Sequence, residues 1–196
     1  MGLWNWRNKA IVDLPMGHAE HDPVNTRTLN RGRGGAGLDA VFGAGVASPT
    51  KRPDRHGYLY DGGDWMTITA DPAIVPGTHS VLLAGDFELI NGNTIFDANT
   101  GGGAGWAIIA GTLLSTATGT HYVNGQQTSQ MHPGNRTIAI TAMALDIDTV
   151  LTLGADTGGA NAMTGGLDYF AIFAGTLSPL QVQDFHIASL RQWHRI

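Results

Sequence analysis

The chain has 196 residues and a formal net charge of −5, which is long enough for one domain with a sizeable core. It contains no cysteine, which excludes a disulfide framework, a thiolate metal site and a cysteine nucleophile. It shows neither the apolar core of a signal peptide nor a membrane-spanning segment, so we expect a soluble protein made in the cytoplasm, with no membrane partner.

Residues 1–55 differ from the rest of the chain in charge and pattern. They hold eight of the eleven basic residues but only five of the sixteen acidic ones. Four prolines and the glycine-rich "RGRGGAG" interrupt any periodicity, which predicts an extended arm with irregular strand pieces. The arm is either a solvated loop region or a basic segment that docks on an acidic surface of this chain or of a neighbour. The residues predicted to bind a partner are Trp4, Trp6, Arg7, Ile11, Leu14, Arg31 and Arg33.

From Tyr58 onward, short strand-like runs alternate with Gly, Asn and Asp turns. This spacing, with 28 glycines and only 14% charged residues, is typical of a sandwich or jelly roll. In "RTIAITA", Ile138 and Ile140 alternate with threonines, which predicts a strand with one wet face. In "LDYFAIFA" both faces are apolar, so that strand should be covered on both sides, and simple alternation places Leu167 on the face of Tyr169. The sandwich domain is predicted over residues 56–196.

A C-terminal helix is predicted over residues 178–193. Ser178 and Gln181 form a capping box, and Pro179 suits the first helical position because its missing N–H costs nothing there. The apolar side of this helix should lie on the sandwich or on a neighbouring molecule. That side contains Leu180, Ile187 and Leu190, with Val182, Phe185 and Trp193 nearby.

Four stretches carry a resemblance to a known family. The stretch from Gly166 to Val182 combines Gly, an apolar residue, Asp, an apolar strand, Leu-Ser and a helix start. With "YDGGDWM", "YVNGQQ" and "LTLGADTG", it resembles laminin-G-like members of the concanavalin A-like lectin/glucanase superfamily, of the variety found in bacterial and phage proteins. The resemblance covers residues 56–188. It implies an antiparallel jelly-roll β-sandwich, here with an extended N-terminal arm and a short C-terminal helix.

The order of two elements in this chain departs from the family pattern. In the family a strand comes before the Tyr-x-Asn-Gly hairpin, whereas here the similar "TIAIT" follows it. The strand register between residues 106 and 145 is therefore left open. The resemblance makes Asp168 a scaffold residue that bonds backbone or turn groups.

Catalytic residues are not assigned. Glycoside hydrolysis requires two carboxylates on either side of the scissile bond, and the glucanase branch places its glutamates together on one strand. Here the only glutamates are Glu20 and Glu88, which excludes that mechanism. Asp146 and Asp148 are better interpreted as a solvated pair beside a turn. We therefore expect a protein that is not an enzyme and has no organic cofactor.

Calcium is the one ion that the family resemblance suggests. Laminin-G-like domains often hold Ca²⁺ at the rim of the sandwich, and hard oxygen ligands suit this ion. The candidate ligands are Asp61, Asp64, Asp97, Asn99 and Asp156, all near glycine turns. The "HAEHD" segment lacks the helical spacing of a zinc site. The two arginines of "RGRGGAG" are too few for a nucleic-acid-binding segment, so no nucleic-acid partner is expected.

Two functions from different classes remain. The first is a structural subunit of a phage or virus particle, either a capsid decoration protein or a tail-associated subunit. It would reside in the virion as a homo-oligomer and bind capsid or tail proteins and copies of itself. The alternative is a carbohydrate-binding module for surface glycans, in which Trp65 or Trp106 stacks on sugar rings. Core packing is the competing interpretation of both tryptophans, and the favoured one.

Overall fold

Glycine and asparagine turns divide the chain into short β-strands, as the composition predicts. The computed structural model describes residues 7–16, 21–22, 26–53, 57–99, 103–132 and 134–192. The strands in these residues are β1 (Val12–Leu14), β2 (His21–Asp22), β3 (Arg27–Thr28), β4 (Ala40–Phe42), β5 (Thr50–Lys51), β6 (Tyr58–Asp61), β7 (Met66–Thr69), β8 (Gly77–Phe87), β9 (Thr94–Asp97), β10 (Trp106–Ala110), β11 (Leu113–Thr116), β12 (Thr120–Val123), β13 (Gln126–Gln127), β14 (Asn135–Leu145), β15 (Val150–Leu153) and β16 (Thr164–Ala174). The α-helix that the described residues contain is α1 (Pro179–Gln192).

The strands form two antiparallel sheets. Sheet A has the order β13–β12–β14–β8–β16–β6–β5, and β1 also pairs with β16. Sheet B has the order β11–β10–β9–β15–β7–β4–β3–β2. Neighbouring strands run antiparallel throughout. The predicted all-β sandwich with a short C-terminal helix is confirmed.

The main hydrophobic core lies between the two sheets. Sheet A contributes Val81 from β8 and Ile138 and Ile140 from β14, and none of these side chains is exposed to solvent. Phe96 of sheet B meets Phe170 of sheet A edge to face, with the ring centroids 6.0 Å apart. Burying each such side chain contributes about 1.5–3 kcal/mol to stability. This core holds the two sheets together.

The outer face of sheet A is also buried, which contradicts the prediction for β14. Thr137 and Thr141 are each only 2% exposed, so the predicted wet face of this strand is wrong. Helix α1 covers this face, and a second hydrophobic cluster beneath the helix includes Tyr169, Phe173 and Phe185. Both faces of this strand are therefore buried. The isoleucines lie on the apolar face toward the main core, and the threonines lie on the more polar outer face.

Helix α1 begins where the capping box predicts. The Ser178 backbone N–H donates to Gln181 Oε1 at 2.9 Å, and the Gln181 N–H donates to Ser178 Oγ at 3.4 Å. The buried side of the helix, however, carries Val182 and Phe185, whereas Leu180 is 64% exposed. Ile187 and Leu190 are exposed as well. None of the helices in the described residues has the length and apolar character needed to cross a membrane.

The central strand β16 contains a β-bulge at Asp168. Leu167 pairs with Gly85 and Tyr169 pairs with Ala84, so Asp168 is the extra residue. The bulge shifts the alternation by one position and places Leu167 in the main core beside Phe170, not on the face of Tyr169. The strand is covered on both sides, as predicted, but the assignment of Leu167 to a face was wrong because a bulge reverses the inside–outside pattern.

The described parts of the predicted arm belong to the sandwich. Strand β1 pairs with β16, with Val12 opposite Ile172, and β4 pairs with β7, with Val41 opposite Thr67. Strand β5 pairs with β6. The segment therefore supplies strands to both sheets. The strand pieces expected within the arm are short strands that pair with the sandwich, and the boundary at residue 55 stays a prediction.

Basic residues of this segment bind acidic residues of the same chain. Arg52 Nη1 lies 3.1 Å from Asp168 Oδ1, and Arg27 Nη1 lies 3.0 Å from Asp39 Oδ2. The Arg27–Asp39 pair lies within the segment, whereas the Arg52–Asp168 pair joins the segment to β16 of the same chain. Asp168 thus bonds the guanidinium group of Arg52, and its predicted bonds to backbone or turn groups stay a prediction.

The "YVNGQQ" stretch forms the tight hairpin between β12 and β13. Asn124 and Gly125 have φ values of 52° and 77°, which suits a two-residue turn that requires left-handed backbone at both positions. On its other side β12 pairs with β14, with Thr120 opposite Thr141. The hairpin therefore precedes its neighbouring strand in the chain, which fixes the register that the sequence left open.

Two histidines beside the sandwich bond to threonine hydroxyls. His121 Nε2 lies 2.6 Å from Thr116 Oγ1, and His186 Nδ1 lies 2.9 Å from Thr137 Oγ1. Burial lowers the pKa of both imidazoles from the ordinary value of 6.5, because a buried site disfavours the charged form. Both rings are therefore neutral at pH 7.

The two lowered pKa values make stability depend on pH in a defined direction. Below pH 6.5 the unfolded chain binds protons at these histidines while the folded chain does not, so the free energy of unfolding should fall on acidification until the folded pKa values are passed. Urea unfolding between pH 8 and pH 5 measures this dependence. The double variant His121→Gln/His186→Gln should show a shallower decline, and equal slopes in the two proteins would contradict the assignment.

Candidate functional site

A shallow cavity lies on the outer face of sheet B, where Trp106 stands beside Asp97. The two residues are direct partners across β10 and β9. Ala107 and Ile109 point into the main core and are fully buried, so Trp106 and Ile108 face outward and are half-buried. The cavity has a volume of about 200 Å³ and is lined by Thr94, Asp97, Asn99, Trp106, Ile108 and Asp156.

A β-bulge between β9 and β10 positions two of the lining side chains. Ala107 pairs with Phe96, but Ile108 pairs with Thr94, so Ile95 is the extra residue. Both Ile95 and Phe96 are fully buried. The bulge brings Thr94 next to Ile108 on the outer face, which is the kind of local adjustment that bulges make near binding sites.

The Asp97 carboxylate is held by two backbone groups. Its Oδ1 accepts a hydrogen bond from the Asn99 N–H at 2.9 Å, and its Oδ2 accepts one from the Thr157 N–H at 3.1 Å. The side chain is 8% exposed. Because each carboxylate oxygen has two lone pairs, Asp97 keeps acceptor capacity toward the cavity while its orientation is fixed.

Asp156 is fixed in the same way by the loop that follows β15. Its Oδ1 accepts hydrogen bonds from the Gly158 and Ala160 N–H groups at 3.0 and 2.8 Å, and its Oδ2 accepts one from Asn161 Nδ2 at 3.0 Å. These bonds organise the loop around the carboxylate. The cavity thus combines one half-buried, outward-facing aromatic side chain with two carboxylates held in place by hydrogen bonds from the surrounding loops.

The five predicted calcium ligands fall into two groups. Asp97, Asn99 and Asp156 line the cavity, whereas Asp61 and Asp64 share a separate turn, in which Asp64 Oδ2 accepts from the Asp61 N–H at 2.9 Å. Burial raises the pKa of the Asp64 carboxyl. Among the residues that the structure describes, no three His, Asp or Glu side chains are grouped to hold a metal ion. Calcium binding stays a prediction.

The two tryptophans predicted to bind sugar have different surroundings. Trp106 lines the cavity, whereas Trp65 packs over Gly159, where a Cβ would lie 3.2 Å from the indole Cζ3. Gly159 belongs to the loop that carries Asp156. Trp65 therefore contacts this loop without lining the cavity, and its predicted stacking on a sugar stays a prediction.

The residues predicted to bind a partner are dispersed. Ile11 and Leu14 are 3% and 0% exposed and pack in the core of their own chain. Arg31 and Arg33 lie at the surface. Trp4 and Trp6 lie outside the described residues, and only the backbone of Arg7 is described. The partner-binding role of these residues stays a prediction.

Sequence reasoning did not identify two of the residues that line the cavity, Thr94 and Ile108. Thr94 and Ile108 were part of predicted strands, without an assigned role. Their only sequence signal is that they lie near Asp97 and Trp106 in "NTIFDA" and "GWAIIAG". The pairing of β9 with β10, which brings the two runs together, cannot be read from either run alone.

Comparisons with known proteins find similar folds among solved structures. No protein-family model and no curated protein matches the chain. The binding domain of botulinum neurotoxin DC in complex with SialylT matches 93% of this chain with a TM-score of 0.53 and 13% identity. A type C botulinum neurotoxin structure, described as depending on two ganglioside molecules for cell entry, matches 95% with a TM-score of 0.53 and 13% identity. The chain spans about half of these two toxin structures, 52% and 53%.

A third structure matches over its full length. It is domain 4 of AbnA, an extracellular GH43 arabinanase from Geobacillus stearothermophilus, in complex with arabinotriose. It covers 92% of this chain and 99% of its own, with a TM-score of 0.52 and 14% identity. At this identity the likeness concerns the fold. The chain shares the β-sandwich architecture of these toxin and arabinanase domains.

Proposed function

We propose that the chain is a carbohydrate-binding module that holds a saccharide in the Trp106 cavity. The observation that carries this proposal is the placement of the outward-facing indole of Trp106 beside the fixed carboxylates of Asp97 and Asp156. An aromatic face packs against the apolar C–H face of a sugar ring, and neighbouring carboxylates accept hydrogen bonds from its hydroxyl groups. This pairing of one apolar surface with a few placed polar groups is typical of small-molecule sites.

The charges that line the cavity favour an uncharged sugar over an anionic one. None of the described lining residues is basic, so a phosphate or carboxylate ligand would meet two aspartates without a compensating charge. Hydroxyl groups donating to ionised carboxylates make strong hydrogen bonds. Because the cavity is small and open, contact is limited to about one sugar ring and the affinity of a single site should be low.

Removing Trp106 is expected to weaken binding by about tenfold or more, because the loss of stacking corresponds to about 1–2 kcal/mol. A glycan array on the intact chain identifies the neutral sugars that bind, and isothermal titration of the best one measures the affinity. Trp106→Phe, which keeps an aromatic face, should retain part of the binding. Leu113→Ala is the control, since Leu113 is 45% exposed on the neighbouring strand β11 but does not line the cavity. Unchanged affinity in Trp106→Ala would overturn the proposal.

Two of the compared structures support this function by their own descriptions. One arabinanase domain is in complex with arabinotriose, and one toxin is described as dependent on ganglioside molecules. The first description concerns a domain with a bound oligosaccharide, and the second concerns the interaction of a toxin with gangliosides. The proposal for this chain accordingly concerns binding and assigns no chemical reaction to the cavity.

The hypothesis of a particle subunit has less support. It depended on a basic, apolar arm free to reach a neighbouring molecule, but the described parts of that segment pair with β16, β7 and β6 of the same chain. Assembly into a virion, with capsid proteins, tail proteins or further copies as partners, stays a prediction. No observation in the described residues favours it over glycan binding.

A further inference from the structure

A second cavity lies at the edge of sheet A, away from the Trp106 cavity. It has a volume of about 470 Å³, which is within the range of about 300–1,000 Å³ typical of small-molecule sites. Its walls come from the β12–β13 hairpin, the loop of residues 128–132 and helix α1. The polar side chains that line it are all uncharged or imidazole groups, namely Asn124, Gln126, Thr128, Gln130, His132 and His186.

The hairpin wall is fixed to the neighbouring strand and to the helix. Asn124 Oδ1 accepts a hydrogen bond from the Thr137 N–H at 3.1 Å, and the Asn124 N–H donates to the Thr137 carbonyl at 2.9 Å. The hydroxyl of the same threonine bonds His186 Nδ1. Gly125 lies close against His186, since a Cβ on this glycine would be 3.2 Å from the Cβ of the histidine. The turn, strand and helix are therefore held as one unit.

The loop wall is tied to the edge of sheet B. The Leu114 N–H donates to the Ser129 carbonyl and the Met131 N–H donates to the Thr112 carbonyl, both at 2.8 Å. Gln130 is further held by a bond from its Nε2 to the Met131 carbonyl at 3.3 Å. The wall is thus anchored on both sides of residue 130, and the cavity exists before any ligand arrives.

The groups left facing the cavity match a polyhydroxylated ligand. The oxygen of the Asn124 amide is used within the protein, which leaves its two N–H donors, whereas the nitrogen of the Gln130 amide is used, which leaves its oxygen as an acceptor. Gln126 offers both. A sugar hydroxyl donates and accepts at once, so alternating donors and acceptors suit it. None of the lining residues is Asp, Glu, Lys or Arg, so an ionic ligand would find no counter-charge here.

We propose that this cavity is a second saccharide-binding site, selective for neutral sugars and independent of Trp106. It goes beyond the function proposed above because the two cavities share no residue. Without an aromatic ring of tryptophan or tyrosine in its lining, it binds mainly through hydrogen bonds. Together the sites would let one domain hold two parts of a glycan or two glycans, which raises avidity when both are engaged.

The experiment is an amide NMR titration of the intact chain with arabinotriose and N-acetyllactosamine as neutral probes and 3′-sialyllactose as the charged comparison. The side-chain amide signals of Asn124, Gln126 and Gln130 report on the second cavity, and the indole N–H of Trp106 reports on the first. We expect a neutral probe to shift the three amide signals, also in the Trp106→Ala variant. In Gln126→Ala/Gln130→Ala the affinity read at Asn124 should fall about tenfold. Gln127→Ala is the matched control, since Gln127 is exposed on the same strand but does not line the cavity.

The two proposals fail in different ways in this titration. A shift of the Trp106 indole with silent side-chain amides would support the first cavity and overturn the second. A shift of the amides with a silent indole would support the second and overturn the first. A response of the amides to 3′-sialyllactose alone would overturn the selectivity for neutral sugars.

Discussion

Replacing Asp168 by asparagine is expected to lower the free energy of unfolding by about 3–5 kcal/mol, because it leaves the Arg52 guanidinium buried without a counter-charge. Arg52 is 7% exposed and Asp168 is 1% exposed, and their charged atoms lie 3.1 Å apart. Two glycines close the space around the pair. A Cβ on Gly166 would overlap the Arg52 guanidinium, and one on Gly57 would overlap the Asp168 carboxylate. A side chain at either glycine would therefore displace one member of the pair.

Chemical denaturation of the variant and of the wild type measures this effect. Asp148→Asn is the matched control, since Asp148 is exposed and should change stability by less than about 0.5 kcal/mol. The double variant Arg52→Met/Asp168→Asn should recover part of the loss, because it removes the unpaired buried charge. A loss below about 1 kcal/mol for Asp168→Asn would show that the pair does not hold the leading segment to β16.

Replacing Phe185 by alanine should cost about 3–5 kcal/mol, the range for removing a large side chain from a packed core. Phe185 is fully buried, and its ring centroid lies 5.6 Å from that of Tyr169 on β16. The substitution leaves a cavity between helix α1 and sheet A. It should also release the neighbouring His186 from Thr137, which opens the wall of the second cavity.

Thermal and urea unfolding of Phe185→Ala measure the loss, with Leu180→Ala as the control on the opposite side of the same helix. Leu180 is 64% exposed, so its truncation should have little effect. Equal destabilisation by the two substitutions would mean that the helix does not pack on sheet A through Val182 and Phe185. The NMR signals of His186 give an independent readout of whether the helix end has moved.

The helix shows where sequence reasoning succeeds and where it stops. Its beginning is encoded locally, because Ser178 and Gln181 bond each other across three residues. Its buried side is not, since apolar residues occur on more than one side. The choice of Val182 and Phe185 over Leu180 depends on the surface that sheet A presents, which is formed by residues distant in sequence.

The bulge and the pairing of the leading strands escaped prediction for a related reason. An alternating pattern carries no mark of an extra residue, so the reversal at Asp168 could not be read from "LDYFAIFA". Strands of two or three residues, such as β3 and β5, are too short to show a period. Their pairing is decided by partners elsewhere in the chain.

The candidate site was predicted in pieces. Asp97, Asn99 and Asp156 were proposed as calcium ligands and Trp106 as a sugar-stacking residue, each from its residue type and local turn. Their meeting in one cavity depends on the adjacency of β10, β9 and β15. The structure thus joins two separate hypotheses at one place, whereas Trp65 contacts the loop that carries Asp156 without lining the cavity.

The pairing of β1 with β16 has a consequence for how the chain is made. Val12 lies opposite Ile172, so β1 can pair with β16 only after all the residues between these two strands have been synthesised. Such long-range pairing slows folding, because a large loop must close before the contact forms. Until then the apolar β1 needs protection from aggregation. Once formed, the pairing ties the first described strand to the last, and the sandwich should therefore fold and unfold as a single cooperative unit.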